Sequence, residues 1–306
     1  MRKSRAYHAM ARDFYTQYFA NYVTPDKKIL MTIGIVTDST ADIPKDLLSI
    51  HQIESVPITL HIDGKSYVDG ETITREEFYT RMPTMKTPAT TASPSVGDFA
   101  ERYEKLFAAG AEKIISIHAA ANLSGIFNAA RLAADDFGER VHVFNSGQLS
   151  LGCGFQVLAA AEAAAKNIPT DTILNSLFTM QKKLKLIAVL DTLEYLRRSG
   201  RVSWAKARFG NLLNLKPMIE LSYGKVENLG AVRTTHLADR RVHEMLREVG
   251  ALERLAVLHT NAEARARQFL ADAAPNLSGP LLLINVTPAI GAHLGPNGLG
   301  FAALRL

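Results

Sequence analysis

Short apolar runs alternate with polar loops and helical segments through the first half of the chain. Runs typical of buried strands lie at Ile33–Val36, Lys113–Ile117 and Arg140–Phe144. A polar loop and a segment with helical spacing follow each run, so the order strand, loop, helix occurs three times. This order predicts a parallel sheet whose strands are connected by crossover helices.

A small antiparallel insertion is predicted at about residues 56–70, between two of these units. Val56–Ile62 alternates between apolar and polar residues, as a half-buried strand does. Asp63-Gly64 predicts a tight hairpin turn before a second short strand at Lys65–Val68.

Capping residues mark the starts of several helices. Thr74–Glu77 matches a capping box, in which a threonine and a glutamate satisfy each other's backbone amides. Ser95 suits the cap of the next helix, and Thr170 suits the cap of a later one. Ile168-Pro169-Thr170 also predicts a domain border.

The second half of the chain predicts a mixed sheet with helices between its strands. The predicted strands are Leu184–Leu190, two short strands at Lys225–Val226 and Val232–Arg233 on either side of a turn at Glu227–Gly230, Arg254–Leu258 and Leu281–Val286. Two helices are predicted between these strands, at Ala238–Val249 and Ala262–Ala273.

We therefore predict an α/β fold of two domains behind an N-terminal extension. Residues 32–167 form a parallel-sheet, three-layer α/β/α domain that carries the small β insertion, and residues 168–306 form a mixed-sheet, two-layer α/β domain. Residues 1–31 are polar and tyrosine-rich, and helical spacing of their aromatic residues predicts a short amphipathic helix.

Composition and charge exclude several classes of function. The chain has 306 residues, 47% hydrophobic and 21% charged, which is ordinary for a protein with a sizeable core. Its net charge of +5 comes without a lysine-arginine block, so we predict no nucleic-acid partner. No apolar run approaches the roughly 20 residues of a membrane-spanning helix.

The single cysteine, Cys153, excludes an intrachain disulfide and a zinc site built from several cysteines. It favours a reducing compartment, so we predict a cytoplasmic protein. We expect neither a metal ion nor a cofactor.

The stretch Val286–Gly300 carries the clearest candidate chemistry. It places His293 among four glycines and two prolines, directly after a predicted buried strand. Glycine allows close approach to a ligand and proline stiffens the chain, so the pattern predicts a shaped loop that holds this histidine at a binding site. The alternative is a packing turn with a surface histidine.

Two further junctions between a strand and a helix offer polar groups. The hydroxyl-rich segment Pro88–Ser95 precedes a helix, whose N-terminus attracts anions, and it makes Thr91 a candidate contact for a carboxylate or phosphate. The segment Ile117–Gly125 offers Ser124, while a structural role is favoured for His118.

An arginine cluster spans Leu196–Val202. Arg201 is a candidate for a forked bond to a carboxylate, and a solvated turn is the alternative. Arg197 and Arg198 are predicted to lie at the surface, available to a partner. No Gly-x-Ser-x-Gly motif and no His-x-x-x-His pair is present, so the sequence points to no established catalytic motif.

Together these motifs resemble the DegV family of bacterial fatty-acid-binding proteins over residues 32–306. The motifs that carry the resemblance occur in family order: Ile35–Asp42, Thr91–Ser95, Leu123-Ser124-Gly125, Leu190–Leu196, Gly200-Arg201, Leu215-Lys216-Pro217, Val232-Arg233-Thr234 and the histidine-glycine stretch around His293.

The resemblance implies a non-catalytic carrier that holds one long-chain fatty acid between two domains. Some members of this family present the carboxylate to a fatty-acid kinase, the implied partner. By position, Thr91 and His293 would contact the carboxylate with support from Arg201, and Arg233, together with Arg198, would face the partner.

The chain departs from the family pattern at Ala92, Ala120 and Ala121, where serines are usual. The following residues are candidates to supply donors in their place: Ser93, Asn122 and Ser124.

Two other functions stay open at this point. One is a small-molecule hydrolase or transferase that uses His293 and a loop hydroxyl. The other is a regulatory binding module for which the lipid is a signal.

Overall fold

The computed structural model describes residues 32–200, 215–273 and 281–306. These residues form an α/β fold with one parallel sheet, one mixed sheet and a small antiparallel sheet. The predicted N-terminal extension and its helix lie outside the described residues. The predicted α/β class, with one parallel and one mixed sheet, is confirmed, while the division at residues 167 and 168 stays a prediction.

Four strands form the parallel sheet, in the order β2-β1-β6-β7. They are β1 (Ile33–Asp38), β2 (Ile53–Val56), β6 (Lys113–His118) and β7 (Val141–Asn145). Every residue of β1 is buried, because the strand lies inside the sheet with helices on both faces.

The insertion forms a three-stranded antiparallel sheet in the order β4-β3-β5. Its strands are β3 (Thr59–Ile62), β4 (Lys65–Val68) and β5 (Thr90–Ala92). Asp63 and Gly64 have φ values of 47° and 79°, as a tight hairpin turn requires, so that turn is confirmed.

Two sequence predictions about this region are wrong. The strand predicted at residues 56–62 breaks at Pro57, since proline lacks the N–H that a continuing ladder needs. Val56 therefore ends a strand of the parallel sheet, and Thr59 begins one of the insertion. Thr90–Ala92 belongs to a predicted loop, yet it pairs with β3.

Five α-helices lie within the described residues of this first part of the chain. They are α1 (Lys45–Ile50), α2 (Arg75–Arg81), α3 (Val96–Ala108), α4 (Ile126–Ala134) and α5 (Ser150–Ala164). The predicted caps are confirmed at two of them: Thr74 and Ser95 form capping boxes with Glu77 and Asp98.

The mixed sheet has six strands in the order β10-β9-β8-β13-β11-β12. They are β8 (Leu184–Val189), β9 (Lys216–Ser222), β10 (Lys225–Val232), β11 (Leu252–His259), β12 (Leu281–Asn285) and β13 (Leu299–Arg305). Two of these strands are absent from the sequence prediction: β9, and the central strand β13, whose sequence starts inside the glycine-rich stretch.

The hairpin in this sheet differs from its prediction, because the two short strands predicted on either side of Glu227–Gly230 are parts of one strand, β10, which pairs with β9. Its turn is formed by Tyr223 and Gly224, which have φ values of 48° and 74°. The segment from Asn228 to Gly230, part of the predicted turn, is instead an irregularity within β10 where the register shifts. A glycine in a strand is often a sign of such a bulge.

The helices of the second part are α6 (Thr170–Lys183), α7 (Glu194–Arg198), α8 (Thr235–Val249), α9 (Glu263–Ala273) and α10 (Pro288–Leu294). Thr170 is the first helical residue rather than the cap, a position that Pro169 takes without a side-chain bond. His293 lies in α10 rather than in a loop, since Pro288 suits the first position of a helix.

Helix α5 lies between the two large sheets. It contacts β1 and β6 on one side and β8 and β13 on the other, and nearly all of its residues are buried. Helices α3 and α4 cover the other face of the parallel sheet, and α8 and α9 cover the other face of the mixed sheet.

A nearly buried ion pair also joins α5 to the mixed sheet. Both terminal nitrogens of Arg254 in β11 donate to the carboxylate of Glu162, over 3.1 and 2.6 Å.

Within the described ranges, no helix is both long enough and apolar enough to cross a membrane.

Candidate functional site

An apolar cavity of about 210 Å³ lies against the face of the mixed sheet that α5 also covers. Its floor consists of side chains from neighbouring strands: Leu186, Ala188, Ile219, Leu221 and Leu258. Its other walls come from loops of the first part and from α7 and α10: Leu123, Leu149, Leu196, Ile290 and Leu294.

Strand periodicity explains why these residues share the cavity. Leu186 and Ala188 point to one face of β8, while Ile187 packs in the core on the opposite face. Ala188 pairs directly with Gly300 of β13. Because neither residue has a large side chain, space remains above the sheet at this point. Ala188 is therefore only half-buried, although its strand is internal.

Several polar side chains also line the cavity, among them Thr40, Ser150, His259 and Thr260. Thr91 of β5, Ser93, Ser124 and His293 of α10 all line the cavity. The Thr91 Oγ1 and the His293 Nε2 are 3.1 Å apart and form a hydrogen bond. The structure thus brings four of the sequence-predicted residues together, although Thr91 and His293 are 202 positions apart.

Buried polar residues fix the start of α10, and sequence reasoning missed this role. Asp42 accepts a hydrogen bond from the Thr287 backbone N–H at 2.8 Å, and Asp69 accepts one from the Thr287 hydroxyl. Arg75 donates to the Asn285 carbonyl at 2.6 Å. Three residues of the first part of the chain therefore hold the segment before His293.

Burial has the largest effect on the pKa values of the two carboxyl groups that contact Thr287, Asp42 and Asp69. It raises the pKa of Asp42 to about 6, although Arg75, with Nη2 3.2 Å from Oδ1, acts in the opposite direction. Burial also raises the pKa of Asp69, against its hydrogen bonds from Thr287 and Ser39. These carboxylates act on the position of α10, since neither lines the apolar cavity.

Three of the other predicted residues do not line the cavity. Asn122 is absent from the cavity wall, and its Nδ2 donates to the Gly224 carbonyl at 2.6 Å. Arg198 and Arg233 are exposed, and the Arg198 Nε donates to Glu194 at 2.6 Å. Arg201 lies outside the described residues.

Two other candidate groups have structural roles. His118 is buried, with Nδ1 2.9 Å from Asp38 Oδ2 and Nε2 2.6 Å from Ser116 Oγ, so the structural interpretation of this histidine is confirmed. Burial raises the pKa of the Cys153 thiol, which keeps it protonated and a poor nucleophile. Among the side chains that the structure describes, no three histidines, cysteines or carboxylates cluster as metal ligands.

Comparison with known proteins places this architecture in a family. The model of an uncharacterised protein family, DegV, matches residues 32–306. A DegV domain-containing protein of Streptomyces coelicolor is 36% identical over 273 residues, which cover 88% of this chain and 96% of the relative. One from Staphylococcus aureus is 33% identical over 275 residues, covering 89% and 98%.

Solved structures agree with the sequence relatives. A DegV family protein from Thermus thermophilus, described by its fatty-acid binding, is 32% identical with a TM-score of 0.81 and covers 90% of this chain and 99% of its own. DegV of Bacillus subtilis, described as a fatty acid binding protein, is 30% identical with a TM-score of 0.80 and covers 90% and 100%. The chain therefore belongs to the DegV family.

Proposed function

We propose that this protein binds one long-chain fatty acid in the apolar cavity, with the carboxylate at Thr91 and His293. The observation that carries the proposal is an apolar hollow whose wall holds a threonine hydroxyl hydrogen-bonded to an imidazole. The fatty-acid binding described for the relatives from Thermus thermophilus and Bacillus subtilis supports it.

The acyl chain dominates the affinity in this proposal. Burial of about 14 methylenes at roughly 0.8 kcal/mol each contributes on the order of 11 kcal/mol before the costs of association. A single hydrogen bond contributes only about 1 kcal/mol. The polar residues therefore set the orientation of the ligand more than its binding strength.

The carboxylate contacts differ from the family pattern. Ala92, Ala120 and Ala121 carry no hydroxyl where the family usually has serine. Ser93 and Ser124 line the cavity and supply hydroxyl donors beside Thr91. We leave Asn122 out of the ligand contacts, since its amide is engaged with Gly224.

The carrier role extends to a partner enzyme. The protein presents the carboxylate to a fatty-acid kinase and catalyses no step of its own, and exposed Arg198 and Arg233 are available to that partner. His293→Ala weakens fatty-acid binding less than it lowers the rate at which such a kinase uses the bound ligand. A cytoplasmic location stays a prediction.

Mass spectrometry under native conditions tests the binding proposal directly. The purified protein should carry one lipid, and extraction should identify it as a long-chain fatty acid. Titration of the delipidated protein with fatty acids of increasing length should show affinity rising with chain length. Affinity that is independent of chain length and lost entirely in His293→Ala would contradict the proposal.

One observation favours a second candidate function. A threonine hydroxyl in contact with a histidine nitrogen is the arrangement that an activated nucleophile requires. A hydrolase or acyltransferase of this kind would turn over an acyl ester or acyl phosphate without any partner. Turnover that disappears in both Thr91→Val and His293→Ala would establish it over the carrier.

A further inference from the structure

The turn between β9 and β10 lies next to the cavity. Leu221 and Val226, on either side of this turn, line the cavity from the mixed sheet. Leu123 and Leu149 line it from loops of the first part. The contact between the turn and these loops therefore runs along the cavity wall.

Three hydrogen bonds make that contact. The Asn122 Nδ2 donates to the Gly224 carbonyl at 2.6 Å, and the Gly224 N–H donates to the Gly147 carbonyl at 2.7 Å. The Gln148 Nε2 donates to the Leu221 carbonyl at 3.2 Å. We call this set of contacts the clasp.

The two sides of the clasp differ in how firmly they are held. On the loop side, the Asn145 Oδ1 accepts from the backbone N–H groups of Ala121 and Gly147, at 3.2 and 3.1 Å. On the hairpin side, the pairing of β9 with β8 ends at Leu221. Residues 222–225 thus project beyond the neighbouring strand, and among the described strands β10 pairs only with β9, at the sheet edge.

The fit of the clasp depends on glycine at position 224. Gly224 has a φ of 74°, which side chains other than glycine rarely adopt. A Cβ built there would lie 2.2 Å from the Asn122 Oδ1, so a side chain at this position would displace the Asn122 amide from its bond to the Gly224 carbonyl.

We propose that Asn122 is a positioning residue that controls ligand exchange: it holds the hairpin tip closed over the cavity, and release of this clasp lets the acyl chain in and out. This inference rests on the proposed binding of a fatty acid. A weakly paired edge hairpin is the kind of element that opens locally without global unfolding. The Asn122 side chain serves the rate of exchange more than the affinity, because an easier opening speeds uptake and release together.

The first test measures release of cis-parinaric acid from the full-length protein after addition of excess palmitate. Asn122→Ala should release the fluorescent ligand about fivefold faster, as expected for one lost hydrogen bond of ordinary strength. Asn228→Ala is the matched control, because it removes a bond to Gly230 in the same hairpin and leaves the clasp intact. Equal release rates for Asn122→Ala and the unchanged protein would overturn the proposal.

A reversible cross-link makes the second test. A Cβ at position 224 lies 3.1 Å from the Asn122 Cγ, close to the about 3 Å that disulfide geometry requires between a Cβ and the partner sulfur. The double variant Asn122→Cys, Gly224→Cys should slow release by roughly tenfold or more when oxidised, because the link removes the open state. Cys153 is buried and does not compete for the new thiols.

Reduction of the same sample should bring release to a rate above that of the unchanged protein. Rates that follow the redox state would show that opening of the hairpin tip, and not a general loss of stability, controls release. Release from the oxidised variant at the original rate would place the exchange route elsewhere. Failure of the unchanged protein to bind any fatty acid would instead refute the proposed function, and the clasp proposal with it.

Discussion

Filling the cavity from its floor provides the sharpest test of where the acyl chain lies. Ala188 faces the hollow from an internal strand, opposite Gly300, so a larger side chain has room to extend into it. The substitution Ala188→Leu adds three carbon atoms at this point. It takes up space that about three methylenes of the ligand would otherwise occupy.

The expected loss follows from the burial of those methylenes. At roughly 0.8 kcal/mol each, three methylenes correspond to about 2.4 kcal/mol, or an approximately 60-fold weaker affinity for a long-chain fatty acid. The free protein should keep its thermal stability or gain slightly, because the leucine buries apolar surface in an existing hollow. Isothermal titration of the delipidated protein with palmitate measures the affinity.

Ile187→Leu is the matched control. It changes the neighbouring residue on the opposite face of β8 at constant volume, so palmitate affinity should stay unchanged. Wild-type affinity in Ala188→Leu would show that the chain lies elsewhere. Strong destabilisation of the free variant would show that this face is packed solid, which would also refute the reasoning.

Three further outcomes are expected. Thr91→Val should weaken fatty-acid binding by about 1 kcal/mol in the same titration, while Thr90→Val, at an exposed neighbouring position, should leave it unchanged. Burial raises the pKa of Asp42 from 3.8 to about 6, so the stability that this group contributes is complete below about pH 4 and is lost, by about 3 kcal/mol, as the pH rises through about 6. The Asp42→Asn variant lacks this titration, so its unfolding free energy minus that of the unchanged protein should rise by about 3 kcal/mol between about pH 4 and pH 7. Urea unfolding at a series of pH values measures both proteins. A parallel pH dependence of the two would rule out Asp42 as the source of the loss. Glu162→Ala should lower the unfolding free energy by about 3 kcal/mol in urea unfolding, because the nearly buried Arg254 guanidinium loses this carboxylate. The control Glu253→Ala removes an exposed carboxylate 3.6 Å from the same guanidinium, and it should cost less than about 1 kcal/mol.

Local signals predict the structure correctly where one segment contains the whole interaction. The capping boxes at Thr74 and Ser95 each close within three residues, and the hairpin turn at Asp63-Gly64 needs only its own two residues. Apolar runs predict the internal strands of the parallel sheet, because such strands are buried on both faces. Pro57 indicates, from the sequence alone, that the strand predicted across it would break.

The site depends on contacts that no local pattern contains. Position in the family's motifs points to Thr91 and His293, but their hydrogen bond joins residues 202 positions apart. The bond from Thr287 to Asp42 spans 245 positions, and neither residue carries a local sign of the other. Asn122 shows the same limit, since its partner Gly224 lies in a hairpin whose turn is predicted at the wrong residues.

The amino-acid order alone determined the class of fold, the buried strands and the helix starts, because these follow from periodicity and from hydrogen bonds within a few residues. Folding of the chain decided which face of the mixed sheet stays hollow, which hydroxyl contacts His293, and which loops the hairpin tip contacts. Those features arise from side chains brought together across the two large sheets. Their geometry depends on the relative placement of whole elements, which short-range preferences do not encode.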